Sequence, residues 1–131
     1  NDIGPLINVA AVEKVEKLVA GAMRAGAQVL IGGDRHAAGG LFFQPTVLDN
    51  ISNDMEIARS EIFGPVATLI PFDSEAEVIA LANDTPYGLA AYFYSRDIGR
   101  VWRVGEALEG SKYGLEDYLE MKYLCLGGIA E

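Results

Sequence analysis

The sequence predicts an α/β domain built on an open, largely parallel sheet with flanking helices. In the middle of the chain, short β-branched runs alternate with stretches in which apolar residues recur at helical spacing. This alternation is typical of strands joined by crossover helices. The chain has 131 residues, of which 50% are hydrophobic and 22% are charged, so it can bury a core of its own.

The first predicted helix begins after Asn8, whose side chain can cap its free N–H groups. Gly26 ends this helix because glycine readily adopts the left-handed conformation found there. The β-branched run at residues 28–31 follows, and Gly32 and Gly33 end it, which predicts a short buried strand. The apolar face of the helix consists of Val12, Val15, Val19, Ala22 and Met23.

The central part of the chain predicts a loop, two extended segments and two helices. Residues 34–40 are polar, and residues 41–47 predict an extended segment in which Pro45 marks an edge or an irregularity. Asp54 can cap a short helix, which the turn at residues 63–65 ends, and residues 66–72 predict a strong strand. Ser74 and Glu77 form an S-x-x-E capping box for the next helix.

The last third of the chain predicts a turn at residues 83–88, a strand at residues 89–94 and a helix that Asp97 caps. Residues 121–126 are also capable of forming a strand, but no helix follows them. Because an unpaired strand edge promotes aggregation, we expect this terminal strand to pair outside its own domain, with another chain or another domain.

The composition excludes several classes of function. A net charge of −9 argues against nucleic-acid binding, since phosphate recognition requires a basic surface. No apolar run approaches the roughly 20 residues of a membrane helix. One cysteine, Cys125, and one histidine, His36, leave little scope for a metal site and allow no intrachain disulfide. We therefore predict a cytoplasmic protein without a metal.

Few residues indicate a catalytic or binding role by themselves. His36 lies in a polar loop without evident partners, and Cys125 lies in an apolar run that would not stabilise a thiolate. The aromatic residues at positions 92–94 predict core and cross-strand packing. Glu61 lies just before a predicted strand, near a place where ligands gather in open α/β sheets. By itself, however, Glu61 is closer to an ordinary solvated carboxylate than to a ligand contact.

Four motifs in register resemble the aldehyde dehydrogenase family. Residues 61–65 (E-I-F-G-P) resemble its E-x-F-G-P motif, and residues 43–46 (F-Q-P-T) resemble the F-x-P-T stretch that precedes it. Residues 4–7 (G-P-L-I) and 83–92 also match in order and spacing. Four motifs in the same order are far more specific than one. Residues 100–118 are most similar to the succinate-semialdehyde group of this family.

The resemblance implies a fold, a cofactor and two site residues. Residues 1–109 would be the C-terminal portion of a catalytic domain, and residues 110–131 would be a terminal segment with an oligomerisation strand at about 120–126, so that the protein forms a homo-oligomer. The family oxidises aldehydes with NAD or NADP. By resemblance, Glu61 would accept hydrogen bonds from the nicotinamide ribose, and Phe63 would pack beside the nicotinamide.

The departures from the family pattern are equally specific. The resemblance implies a cofactor-binding domain, a nucleophilic cysteine and a general-base glutamate that all precede residue 1, so this chain contributes no catalytic residue. We therefore expect it to be inactive alone; the alternative is a non-catalytic interaction module. The resemblance also implies a stretch of a few dozen residues between the counterparts of Glu109 and Gly110, which follow each other directly here. We predict that these two residues are not joined by a genuine peptide bond.

Overall fold

The computed structural model describes residues 3–85 and 91–108. The described elements, in chain order, are helix α1 (Val9–Arg24), strands β1 (Gln28–Ile31), β2 (Thr46–Asp49) and β3 (Val66–Thr68), and helices α2 (Glu75–Asn83) and α3 (Ile98–Ala107). Contacts divide the chain into two compact units, and the second unit begins at Asp73. Four sequence-based predictions lie outside the described residues: the 109/110 domain boundary, the Glu109–Gly110 junction, the terminal strand and the surroundings of Cys125.

Helix α1 forms as its capping residue and apolar face predict, except that Met23, which was predicted on that face, is exposed. The Asn8 side chain accepts a hydrogen bond from the Ala11 N–H at 2.8 Å, which satisfies one of the free donors of the first turn. The apolar residues of α1 then cover one face of the sheet. The resulting core contains Val12, Val15, Leu18, Val19 and Ala22 from α1, together with Phe43, Leu48, Ile51 and Ile57.

The sheet of the first unit is mixed, so the prediction of a largely parallel sheet is wrong for its first pair of strands. The strand order is β1-β2-β3, with β1 and β2 antiparallel and β2 and β3 parallel. The antiparallel pairing arises because the loop between β1 and β2 reverses the direction of the chain, so that β2 runs back alongside β1. Gln44 N–H donates to the Asp34 carbonyl at 3.0 Å, and an isolated antiparallel bridge joins Arg35 and Phe43.

Gly32 lies where the chain leaves β1, and its conformation explains the glycine pair. Its φ is +69°, and a Cβ at this position would lie 2.3 Å from the Pro45 carbonyl oxygen. The buried side chain of Thr46 completes this corner: its hydroxyl accepts from the Gly33 N–H at 2.9 Å and donates to the Gln44 carbonyl at 2.8 Å. Close approach of β1 and β2 therefore requires glycine here.

The second unit contains the helices α2 and α3. Ser74 caps α2 by accepting from the Glu77 N–H at 3.1 Å, and Asp97 caps α3 by accepting from the Arg100 N–H at 3.1 Å, as predicted. Glu75 joins the two helices, because its carboxylate accepts hydrogen bonds from both Arg100 and Arg103. Hydrogen bonding from Arg103, and secondarily from Arg100, lowers the pKa of Glu75.

The strand at residues 28–31 forms but is largely exposed rather than buried as predicted. Two further predicted elements do not form where the structure describes them. Residues 52–60 form successive turns rather than a helix, and Asp54 accepts a hydrogen bond from the Ser52 hydroxyl instead of capping. Residues 91–94 form no regular strand, and residues 86–90 lie outside the described part. Tyr92 and Tyr94 are 84% and 96% exposed, so the prediction that they pack in the core is also wrong. Both failures concern segments that need neighbouring elements to become regular.

Candidate functional site

The segment 61–64 is an irregular loop that leads from the turns of residues 52–60 into β3. Its most unusual feature is Phe63, whose φ is +50°. An L-residue with a bulky side chain in the left-handed region costs about 1–2 kcal/mol, and such a conformation persists only where the surroundings enforce it. The Phe63 side chain is nevertheless 77% exposed, so its own packing is not what enforces this backbone conformation.

Helix α1 and strand β2 hold the backbone of this loop on both sides of Phe63. On the N-terminal side, the Lys14 ammonium donates to the Glu61 carbonyl at 2.5 Å. On the C-terminal side, Gly64 lies so close to α1 that a Cβ at this position would be 2.6 Å from Val15 Cγ2. The Pro65 carbonyl then accepts from the Thr46 N–H at 2.8 Å, which fixes the entry into β3.

The loop at residues 61–64 exposes the carboxylate of Glu61 and the aromatic ring of Phe63 to solvent. The Glu61 side chain is exposed, and among residues 3–85 and 91–108 it forms no ion pair and no hydrogen bond. Ile62, between the two, packs against the core. A free carboxylate accepts hydrogen bonds only, so it suits a ligand group with two adjacent hydroxyls. The exposed ring of Phe63 suits a flat apolar ligand surface.

The other residues considered in the sequence do not join this loop into a larger site. His36 Nδ1 accepts from the Ala38 N–H at 3.1 Å, and its ring lies 6.4 Å from that of Phe42, so it stabilises its own loop. Within the described ranges, no group of three or more His, Cys, Asp or Glu side chains could hold a metal ion. The absence of a metal from this protein stays a prediction.

A shallow hollow of about 460 Å³ lies in the second unit, lined by Tyr94, Ser95, Arg96 and Arg100. It is wide open to solvent. Arg100 already donates to Glu75 at 2.9 Å, which reduces its availability to a ligand. This hollow contains neither Glu61 nor Phe63, and it does not carry a functional assignment.

Sequence reasoning missed the contact of Lys14 with the loop at residues 61–64. Lys14 lies among the charged residues of α1, and nothing in the local sequence distinguishes it from Lys17. Its contact with Glu61 joins residues 47 positions apart, so only the packing of α1 against the sheet reveals it.

Comparison with known proteins identifies the family of this chain. The profile of the aldehyde dehydrogenase family matches residues 1–130. The chain belongs to the aldehyde dehydrogenase family. It is 48% identical over 154 residues to the succinate-semialdehyde dehydrogenase [NADP(+)] of Escherichia coli K12, with 95% of this chain and 32% of that protein covered. It is also 48% identical over 155 residues to the 3-sulfolactaldehyde dehydrogenase of Pseudomonas putida, with 96% of this chain and 32% of that protein covered.

Solved aldehyde dehydrogenase structures share the fold. The succinate-semialdehyde dehydrogenase of Burkholderia pseudomallei matches with a TM-score of 0.79 and 61% identity. That match covers 82% of this chain and 22% of the solved one. The chain thus spans about a third of the length of the curated relatives it matches. None of the helices among residues 3–85 and 91–108 has the length and apolarity needed to cross a bilayer.

The matches also show that part of the family sequence is absent within this chain. The match to the P. putida protein extends over 155 positions, whereas 96% of this chain is about 126 residues. About 29 positions of that relative therefore have no counterpart in the matched part of this chain. This number agrees with the few dozen residues predicted to be absent. Their place, between Glu109 and Gly110, and the nature of that junction stay predictions.

Proposed function

We propose that this chain is the part of an NAD(P)-dependent aldehyde dehydrogenase that holds the nicotinamide end of the cofactor. The observation that carries the proposal is the loop at residues 61–65, which presents Glu61 and Phe63 from a backbone held by α1 and β2. Glu61 would accept hydrogen bonds from the two ribose hydroxyls, and Phe63 would cover one side of the nicotinamide ring. When bound, the cofactor supplies the hydride acceptor for aldehyde oxidation.

This part of the enzyme contributes positioning rather than bond making. Hydride transfer requires the nicotinamide and the substrate carbon to be held in contact, and misplacement of either one lowers the rate steeply. Glu61 would set the position of the ribose, and the Phe63 ring would restrict the tilt of the nicotinamide. The nucleophilic cysteine and the general base would belong to family sequence that this chain does not contain. We therefore propose that the 131 residues alone have no dehydrogenase activity.

The proposed substrates are short aldehydes that carry an anionic group at their far end. The relatives at 48% identity are named for succinate semialdehyde and for 3-sulfolactaldehyde, which end in a carboxylate and a sulfonate respectively. Succinate semialdehyde is the first candidate, because residues 100–118 resemble that group of the family. A cytoplasmic location and homo-oligomerisation through residues 120–126 are further parts of the proposal.

The cofactor role can be tested in a chimera. The segment of the E. coli relative that matches residues 3–72 is replaced by the segment from this chain, so that all other parts of the enzyme are present. Glu61→Gln keeps the shape of the side chain and removes its charge. Loss of a charge-assisted hydrogen bond costs about 1.5–3 kcal/mol, so we expect KM for NADP+ to rise roughly ten- to a hundredfold, or hydride transfer to slow by a similar factor.

Glu56→Gln is the matched control, because Glu56 is an exposed carboxylate of the preceding turns, and within residues 3–85 and 91–108 its ion pair is with Lys17, not with the loop. It should leave both parameters unchanged. Equal KM for NADP+ and equal hydride-transfer rates in the Glu61→Gln and parent chimeras would contradict the ribose role. Reduction of NAD+ or NADP+ with succinate semialdehyde by the 131-residue chain alone would contradict the proposed inactivity.

A further inference from the structure

The imidazole of His36 closes the turn at the tip of the excursion between β1 and β2. This turn, residues 36–40, is exposed to solvent, and His36 is the single histidine of the chain. The Nδ1 atom of His36 accepts a hydrogen bond from the Ala38 N–H at 3.1 Å. The His36 carbonyl accepts a second one from the Gly39 N–H at 2.9 Å. The turn is thus held by a backbone bond and by a bond to a ring that can take up a proton.

The bond at Nδ1 requires the imidazole to be uncharged. A backbone N–H can only donate, so Nδ1 must offer a free lone pair, and the ring hydrogen then lies on Nε2. A protonated ring carries hydrogen on both nitrogens and can accept at neither. Protonation would therefore replace the hydrogen bond with two donors that face each other across the same 3.1 Å.

We propose that the turn at residues 36–40 is a pH-sensitive element, closed by the His36–Ala38 bond while the imidazole is neutral and loosened when the ring takes up a proton. Histidine is the side chain that ordinarily changes its charge between pH 8 and pH 5, so the transition falls in that range. This proposal is independent of the proposed cofactor role, because the turn contributes no residue to the loop at residues 61–65.

The turn has room to open, because its tip contacts little else. A Cβ built at Gly39 or at Gly40 would meet no atom within 4 Å, and Ala37 and Ala38 are exposed. Gly39 and Gly40 have φ of +71° and +61°, and glycine leaves such values at little cost because it has no Cβ. Loss of one hydrogen bond can therefore change the conformation of the turn without disrupting a packed contact.

The base of the excursion is held without the imidazole. The Gln44 N–H donates to the Asp34 carbonyl at 3.0 Å, and the Leu6 N–H donates to the Leu41 carbonyl at 2.9 Å. Phe43, between these contacts in the sequence, is buried in the core. We therefore expect protonation of His36 to loosen residues 36–40 and to leave the base unchanged.

The charged side chains around the turn are Asp34 and Arg35 of the excursion and Glu13 and Glu16 of α1. Arg35 Nε donates to Glu16 Oε1 at 2.7 Å, and this hydrogen bonding lowers the pKa of Glu16, so the pair stays charged between pH 5 and pH 8. Glu13 acts electrostatically on Arg35. Within residues 3–85 and 91–108, none of the four forms a hydrogen bond or an ion pair with His36. The protonated ring thus gains no ion pair there that would replace the lost bond.

The test follows the backbone amides of the excursion by NMR in the 131-residue chain at pH 8 and at pH 5. The protection of each amide against hydrogen exchange is corrected for the intrinsic effect of pH on exchange, and its chemical shift is recorded. We expect the protection of the Ala38 amide to fall about three- to tenfold from pH 8 to pH 5, as for the loss of one hydrogen bond. The Gln44 amide, at the base, should keep its protection.

Two substitutions separate the hydrogen-bond acceptor from its titration. His36→Asn supplies an amide oxygen that can accept from the N–H two residues later at any pH, so Ala38 should be protected at both pH values. His36→Leu removes the acceptor and should leave Ala38 poorly protected at both. Glu16→Gln is the control: it removes the carboxylate that faces Arg35 and should leave the pH-dependent step at Ala38 in place.

Equal protection of the Ala38 amide at pH 8 and pH 5 in the parent chain would overturn the proposal. So would a pH-dependent step that persists in His36→Asn, or protection in His36→Leu equal to that of the parent at pH 8. A protected Gln44 amide verifies in each variant that the excursion is folded. Exchange measured by mass spectrometry on the chimera, whose transplanted segment contains residues 36–40, repeats the comparison within a complete enzyme, and absence of the step there would also count against the proposal.

Discussion

Gly64 packs directly against Val15, and this contact determines how closely helix α1 approaches the loop that leads into β3. A Cβ at position 64 would lie 2.6 Å from Val15 Cγ2, nearer than non-bonded carbon atoms can approach. The glycine of the E-I-F-G-P motif is therefore required by packing against a helix roughly fifty residues earlier. The same approach brings Lys14, on the preceding residue of α1, within reach of the Glu61 carbonyl.

Replacing Gly64 should test that packing directly. We expect Gly64→Ala to destabilise the chain by about 1–3 kcal/mol, because α1 and the loop must separate to admit the methyl group. Val15→Ala, which removes the opposing methyl groups, should compensate in the double variant. The measurement is urea unfolding of all four proteins. Strictly additive effects of the two substitutions would show that these residues do not interact.

Comparing Gly32 with Gly39 separates the cost of a left-handed backbone conformation from the cost of a steric clash. Both have positive φ, +69° and +71°, but only Gly32 faces a close neighbour, the Pro45 carbonyl oxygen. Gly39→Ala should lower the free energy of unfolding by about 1–2 kcal/mol, because alanine is unfavourable in the left-handed conformation. Gly32→Ala should lower the free energy of unfolding by at least about 3 kcal/mol, since its Cβ would also clash with the Pro45 carbonyl oxygen. Similar unfolding midpoints for the two variants would contradict the close contact between β1 and β2.

The buried hydroxyl of Thr46 should contribute to stability through its two hydrogen bonds. Thr46→Val preserves the shape and leaves the Gly33 N–H and the Gln44 carbonyl without this partner. We expect a loss of about 1–3 kcal/mol in the free energy of unfolding. Thr46→Ser keeps the hydroxyl and should cost less. If valine proved as stable as threonine in denaturant titrations, these two bonds would carry no net stability.

The ion pairs of Glu75 should make the second unit sensitive to acid. Hydrogen bonds from Arg103 first, and then from Arg100, hold the pKa of Glu75 below its ordinary value of 4.5. A lowered folded-state pKa contributes stability that is fully present above about 4.5 and is lost as the pH falls through the lower folded value. Thermal unfolding followed by circular dichroism should show this loss in the parent chain and less of it in Glu75→Gln.

The two arginines should differ in their effect on Glu75. Arg103 donates through two nitrogens, at 2.9 and 3.1 Å, whereas Arg100 donates through one at 2.9 Å. The Glu75 pKa, followed by NMR titration of its carboxyl carbon, should therefore return further toward 4.5 in Arg103→Gln than in Arg100→Gln. The reverse order would show that Arg100 is the main partner.

The sequence by itself determined the features that depend on neighbours a few residues away. The caps at Asn8, Ser74 and Asp97 form as predicted, because each joins a side chain to a backbone N–H three residues later. The apolar face of α1 follows from helical periodicity for the same local reason. The motif at residues 61–65 also identified Glu61 and Phe63 as candidates for cofactor binding.

Only the tertiary structure decided what depends on distant parts of the chain. The antiparallel pairing of β1 with β2 arises from the excursion between them, and the Lys14–Glu61 bond arises from the packing of α1. No sequence signal predicts a left-handed phenylalanine, since that conformation of Phe63 is imposed by its surroundings. Local patterns specify local bonds, whereas register, strand direction and strain depend on which segments share a core.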